Sequence, residues 1–195
     1  MQFPLKLTFK ILAVAPQITV TDASGQTLFY VKQKLFKLKE AITVFSDSSQ
    51  TKELYKINAD RIIDFSAKYH LTDINGREIG AIKREGMRSI FKARYDIFDG
   101  NGMHVLDINE ESAMVRVMDS LFGEIPILGM FTGYVFNPTY VVADMQGQVV
   151  MKIKKEPAMF ETGFSITQER PMSDEETLRA VLGAFMMVLL ERIRG

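Results

Sequence analysis

The chain has 195 residues, no cysteine, and 24 basic against 24 acidic side chains, for a formal net charge of zero. That length suits one domain able to bury its own core, and the missing cysteines exclude disulfide frameworks, thiolate metal sites and thiol nucleophiles. Balanced charge removes any global pull towards nucleic acid or an anionic membrane, so only a local patch could supply one.

Residues 1–17, MQFPLKLTFKILAVAPQ, include Ala13-Val14-Ala15, which mimics a signal-peptidase site. Lys6 and Lys10 cut the apolar run to ILAVA, short of the ~7–15 residues of a secretory core. The stretch reads as a first strand, Leu5–Val14, of a cytoplasmic protein, in keeping with the absence of cysteine.

A repeated unit follows. ITVTDASGQTLFYVK (18–32), YHLTDINGREIGAIK (69–83), YDIFDGNGMHVLDIN (95–109) and YVVADMQGQVVMKIK (140–154) share one template. An aliphatic residue stands two before an Asp, a Gly three after it, and a second aliphatic six beyond the Gly. Asp at the first position of a turn accepts backbone N–H groups two residues on, and Gly at the fourth takes φ > 0. Each unit is therefore a β-hairpin whose alternating arms suit half-buried strands. The glycines lie 51, 26 and 45 residues apart, which argues against a solenoid or propeller of fixed period.

Further strands fall between the units: Ala41–Phe45, Glu53–Asn58, Arg88–Arg94, Ala113–Met118 and Phe160–Ile166. About a dozen strands with short connections predict a mainly β fold, an antiparallel meander closing into a barrel or sandwich. No Pro/Ser-rich linker divides it, so residues 1–195 read as one domain.

At the C-terminus the pattern changes. Ser173 predicts an N-cap with Glu176 completing a capping box, Asp174 and Glu175 suit a helix N-terminus, and Arg192 and Arg194 suit its far end. From Ala180 to Leu190 no polar residue occurs, so the helix must be buried on every side. Amphipathic strands can enclose it only as a barrel wrapped around it. Neither Leu178–Leu190 nor Leu121–Phe136 reaches the ~18 apolar residues of a membrane span.

With the units and the helix in hand, a resemblance is visible. FYVKQKLFKLKEAITVFSD (29–47) and LYKINADRIIDFSAKYHLTDINGREIGAIKRE (54–85) resemble the LURP-one-related family, whose members carry a similar aromatic-x-(V/L)-(K/R)-Q-K-L-F segment and repeat the Asp-x-x-Gly hairpin. The resemblance runs over roughly residues 26–194, with residues 1–25 as an added leading strand and hairpin arm. It implies the tubby-like fold, about twelve antiparallel strands around a central helix at 173–194. Tubby domains bind phosphoinositide headgroups and the related phospholipid scramblases act at membranes. The scramblases' cysteine-rich segment and membrane helix have no counterpart here, and no tubby headgroup residue is carried over.

Three basic groups are candidates for an anion or lipid headgroup: Lys32 and Lys34 with Lys37 and Lys39; Lys83, Arg84, Arg88, Lys92 and Arg94; and Lys152, Lys154 and Lys155. If strands 26–35 and 77–94 were neighbours, the first two could form a pocket for a phosphorylated group. The alternative is a solvated outer barrel face on which lysines discourage edge pairing. His70 and His104 lack the partners of a triad or metal site, and Asp99-Gly100-Asn101-Gly102 lacks calcium-loop spacing because position 97 is Ile. LFGEIPILGMFTGYVFNP (121–138) reads either as a bulged strand and loop capping the barrel or as an exposed membrane or protein-binding surface. The twelve methionines suit core gaps. The reading is a non-enzymatic binding module for a lipid headgroup or other anion, without cofactor, metal or nucleic acid and with peripheral membrane contact. The alternative is a protein-interaction or structural barrel.

Overall fold

The computed structural model describes residues 1–10, 17–32, 42–61, 67–85, 94–111, 139–156 and 162–194. Twelve strands run in chain order: β1 Leu5–Lys10, β2 Gln17–Thr21, β3 Thr27–Lys32, β4 Ile42–Phe45, β5 Glu53–Ala59, β6 Lys68–Asp73, β7 Glu78–Glu85, β8 Arg94–Asp99, β9 His104–Glu110, β10 Thr139–Asp144, β11 Val149–Glu156 and β12 Thr162–Gln168. Each pairs antiparallel with its chain neighbours, and β1 pairs with β12, so the sheet is a closed barrel. The ring thus closes through residues 5–21. The expected strand at Ala113–Met118, most of that at Arg88–Arg94 and the segment 121–136 lie outside the described residues.

Alternation assigns the two faces. In β1, Leu5, Leu7 and Phe9 are buried while Lys6 and Lys10 are exposed. Helix α1, Asp174–Arg194, fills the interior, with every residue from Ala180 to Leu190 buried. Its 21 residues span about 30 Å, enough to run the length of the barrel. At Gly183 the helix packs tightly against the wall: a Cβ there would stand 2.7 Å from Ile97 Cδ1. The predicted capping box is present. The Glu176 N–H donates to Ser173 Oγ at 3.3 Å, and the Ser173 N–H donates to Glu176 Oε2 at 2.9 Å.

The expected hairpin turns close one end of the barrel. In the 73–76 turn the Asn75 and Arg77 N–H groups donate to Asp73 Oδ1 at 2.8 and 2.9 Å, the Gly76 N–H donates to the Asp73 carbonyl, and Gly76 has φ 81°. The register slips by one residue beside this turn, as it does beside the other Asp-x-x-Gly turns. A fifth turn joins β4 to β5 with Asp47-Ser48-Ser49-Gln50. Asp47 Oδ1 accepts from the Ser49 N–H at 2.8 Å, and Gln50 holds φ 58° where the others place Gly. A glycine template passes over it, although Asp47 was the visible signal.

Left-handed backbone costs an L-residue about 1–2 kcal/mol. Gln50→Gly should therefore stabilise the protein by roughly 1 kcal/mol and Gly76→Ala, where a Cβ would meet nothing within 4 Å, destabilise it by a similar amount, as read from urea-denaturation midpoints. A second outcome concerns pH. A Ser24 hydroxyl on Asp22, a Ser49 hydroxyl on Asp47, and the Arg77 and Met103 backbone N–H groups on Asp73 and Asp99 hold these carboxyls below the ordinary aspartate range. Depressed folded-state values add stability above the unfolded pKa and lose it as pH falls through the folded one. The unfolding free energy should fall from about pH 4 downward, and less steeply in Asp73→Asn, when denaturation is followed across pH.

Candidate functional site

β3 and β7 are not neighbours; β4, β5 and β6 stand between them. The adjacency of strands 26–35 and 77–94 on which that pocket depended is therefore absent from their described parts, because a meander pairs each strand with its chain neighbours. Lys34, Lys37, Lys39, Arg88 and Lys92 lie outside the described residues.

The described members of the second group already have acidic partners. Lys83 faces outward and its Nζ lies 2.7 Å from Glu85 Oε1. Arg94 Nε donates to Asp96 Oδ1 at 2.9 Å and Nη2 to Asp107 Oδ1 at 3.1 Å. Burial opposes the Arg94 charge, but Asp107 and Asp96 outweigh it and raise its pKa. His104 Nε2 sits 2.8 Å from Asp107 Oδ1, so Asp96, His104 and Asp107 bring ligand atoms within 4.8 Å of one another. The Arg94 guanidinium occupies the place a cation would take between the two carboxylates. His70 Nδ1 pairs with Glu78 Oε1 at 2.8 Å.

Arg84 faces the other way. It shares the inward parity of Ile82 and is 4 % exposed. Its Nε lies 3.5 Å from Glu191 Oε1 on α1 without making a hydrogen bond, and the guanidinium carbon is 5.9 Å from the Tyr95 ring centre. The Tyr95 hydroxyl donates to Glu191 Oε1. Burial first, and then the Glu191 charge, push the Tyr95 hydroxyl far above its ordinary pKa; the same causes, with Glu110, push Tyr140 up to about 12. Arg84 is thus a clasp between β7 and the last turns of the helix.

The described lysines elsewhere converge in a way sequence does not display. Ser165 of β12 lies opposite both Lys154 of β11 and Lys6 of β1, and Gln17 of β2 lies opposite both Lys10 and Lys32. Lys6, Lys10, Lys32 and Lys154 are exposed on the outer face of one sector, β11–β12–β1–β2–β3. Lysines two strands apart stand roughly 10 Å from each other. Lys152 is on this face but paired, its Nζ 3.0 Å from Glu111 Oε1. Lys155 has the opposite parity, at the barrel mouth beside Phe164. Charge is also sorted along the barrel axis. The turn aspartates and the acidic first turn of α1 share one end, while Lys10, Lys32, Lys154 and Lys155 lie towards the other. No described helix is long and apolar enough to cross a membrane.

Removing one partner of the clasp strands a buried charge. Glu191→Gln should cost about 2 kcal/mol, less than the ~3–5 of a fully buried pair because Glu191 is partly exposed. The pair replacement Arg84→Met/Glu191→Leu should cost much less in the same urea titration.

The family model for LURP-one-related proteins matches residues 27–120. No curated protein matches the chain. The X-ray structure of a protein from Arabidopsis thaliana superposes with a TM-score of 0.51 at 16 % identity, covering 100 % of this chain and 94 % of that one, which shows a common fold. Over residues 27–120 the chain is therefore similar in sequence to LURP-one-related proteins, and over its whole length it shares the barrel fold of the Arabidopsis protein.

Proposed function

We propose that the protein is a non-enzymatic binding module that takes a phospholipid headgroup, or another anion of the same phosphate chemistry, on its lysine-bearing sector. The observation that supports this is the register: Lys154–Ser165–Lys6 in one row, with Lys32 opposite Gln17 on the same outer sector. Ammonium groups spaced ~10 Å apart with hydroxyl and amide side chains between them suit phosphate oxygens, each met by a separate point charge. The site first read from sequence around Lys83, Arg84 and Arg94 supports the reading less well, because Glu85, Glu191, Asp96 and Asp107 already neutralise those residues. A binding role rather than catalysis accords with Glu191 engaging both the Tyr95 hydroxyl and the Arg84 charge at the helix C-terminus. Membrane contact in this reading is peripheral, from the cytoplasm.

Co-sedimentation with phosphatidylcholine vesicles, with and without phosphatidylserine or phosphoinositide, tests it, with inorganic pyrophosphate as the soluble arm. Each lysine near an anionic surface contributes about 1 kcal/mol, so Lys6→Glu/Lys154→Glu should weaken binding at least ~30-fold while leaving the thermal midpoint unchanged. Binding of pyrophosphate but not vesicles would identify a soluble anion. Failure of the wild type to bind either would remove the proposal.

A further inference from the structure

Among the described residues, the large hydrophobic side chains most open to solvent are Met1, Ile74, Met103 and Met145. The last three are not scattered. Ile74 is the second residue of the 73–76 turn, Met103 follows Gly102 in the 99–102 turn, and Met145 is the second residue of the 144–147 turn. They are 61 %, 64 % and 51 % exposed. Their hairpins, β6–β7, β8–β9 and β10–β11, follow one another around the ring at the end where α1 begins. Met1 belongs to the same end, since neighbouring Gln2 accepts a hydrogen bond from Ala23 of the 22–25 turn.

Nothing in the turn chemistry calls for these side chains. Asp and the left-handed fourth residue shape the backbone, and the remaining two turns manage with Ala23, Ser24, Ser48 and Ser49. Single exposed apolar residues are ordinary; three on consecutive hairpins make an arc. Successive hairpins stand roughly 10 Å apart, so the arc spans roughly 20 Å, about the length of a 13-residue helix.

Charge selects the occupant. Each tip stands beside its turn aspartate, Asp73, Asp99 or Asp144, and backbone N–H donors keep Asp73 and Asp99 ionised well into acid. Glu175, half exposed, is shared by Arg179 at 3.4 Å and Arg77 at 3.9 Å, Arg77 is also engaged by Asp73 at 3.3 Å, and with the exposed Arg170 these are still outnumbered by the turn aspartates together with Asp174 and Glu176. Such a rim repels anionic lipid and acidic peptides, while flexible methionines adapt to varied apolar side chains. From this we infer that the turn end docks a basic amphipathic polypeptide segment, with Lys or Arg alongside large apolar residues over three to four helical turns. The arc lies at the turn end on hairpins β6–β11, away from Lys32 and Lys154 of the proposed anion site, and does not depend on that site.

Fluorescence anisotropy of a labelled Leu/Lys amphipathic peptide, against its Leu/Glu counterpart, tests the inference. The wild type should bind the Leu/Lys peptide, and Ile74→Ser/Met103→Ser/Met145→Ser should weaken it roughly tenfold or more. Circular dichroism and the thermal midpoint should not move, because the tips lie in solvent. Lys6→Glu/Lys154→Glu should bind the peptide at least as well as the wild type, which separates this surface from the anion site. Equal binding by the triple variant, equal binding of the Leu/Glu peptide, or no binding by the wild type would overturn the inference. So would self-association, or adhesion to phosphatidylcholine vesicles, that the triple variant abolishes, since the occupant would then be a second copy or lipid.

Discussion

Everything in this fold answers to one constraint, the run from Ala180 to Leu190 that offers water no polar side chain. A helix apolar around its circumference needs apolar walls on all sides, and a sheet provides them only by closing. Closure removes the sheet edges at the same time, so each strand's outer face is free to carry lysine, threonine and aspartate. The strands are therefore amphipathic by necessity: Leu5, Leu7 and Phe9 turn towards the helix and Lys6 and Lys10 away from it.

The helix also gives the barrel a direction. In an antiparallel meander alternate connections fall at opposite ends, and here the five tight turns share the end where β12 finishes and α1 starts. Each of those turns contains an aspartate, and the first turn of the helix adds Asp174, Glu175 and Glu176. Turn chemistry and capping chemistry thus place acids around the helix N-terminus. Arg84, Lys10, Lys32 and Lys154 fall towards its C-terminus, the arrangement a helix dipole favours. A net charge of zero conceals two ends of opposite character, the local sorting that a whole-chain sum cannot display.

Local chemistry was legible in the sequence and pairing was not. The four Asp-x-x-Gly turns, the Ser173–Glu176 cap and the enclosed helix could all be read because each depends on residues a few positions apart. The Asp47 turn escaped because Gln50 accepts a strained φ that only the folded backbone reveals. The row joining Lys6 to Lys154 was invisible because register is set by closure of the ring, between residues at opposite ends of the chain. Arg84 was misread for a different reason. Its parity with Ile82 places it inside, and that signal lay in the sequence beside the charge that suggested a surface role.

Proximity in sequence consequently misjudged which cations are available. Lys83, Arg84 and Arg94 look like a basic cluster when read along the chain, yet a closed barrel sets carboxylates from β7, β8, β9 and α1 against them. Lys6, Lys32 and Lys154 look isolated along the chain, yet the same closure sets Ser165, Thr21 and Gln17 across from them. An ammonium group facing hydroxyl and amide neighbours keeps its charge available to an incoming phosphate; one facing a carboxylate must first give up a partner. Cross-strand context, rather than the density of Lys and Arg along the chain, is what distinguishes exposed cations facing hydroxyls and amides from those held by carboxylates in this barrel.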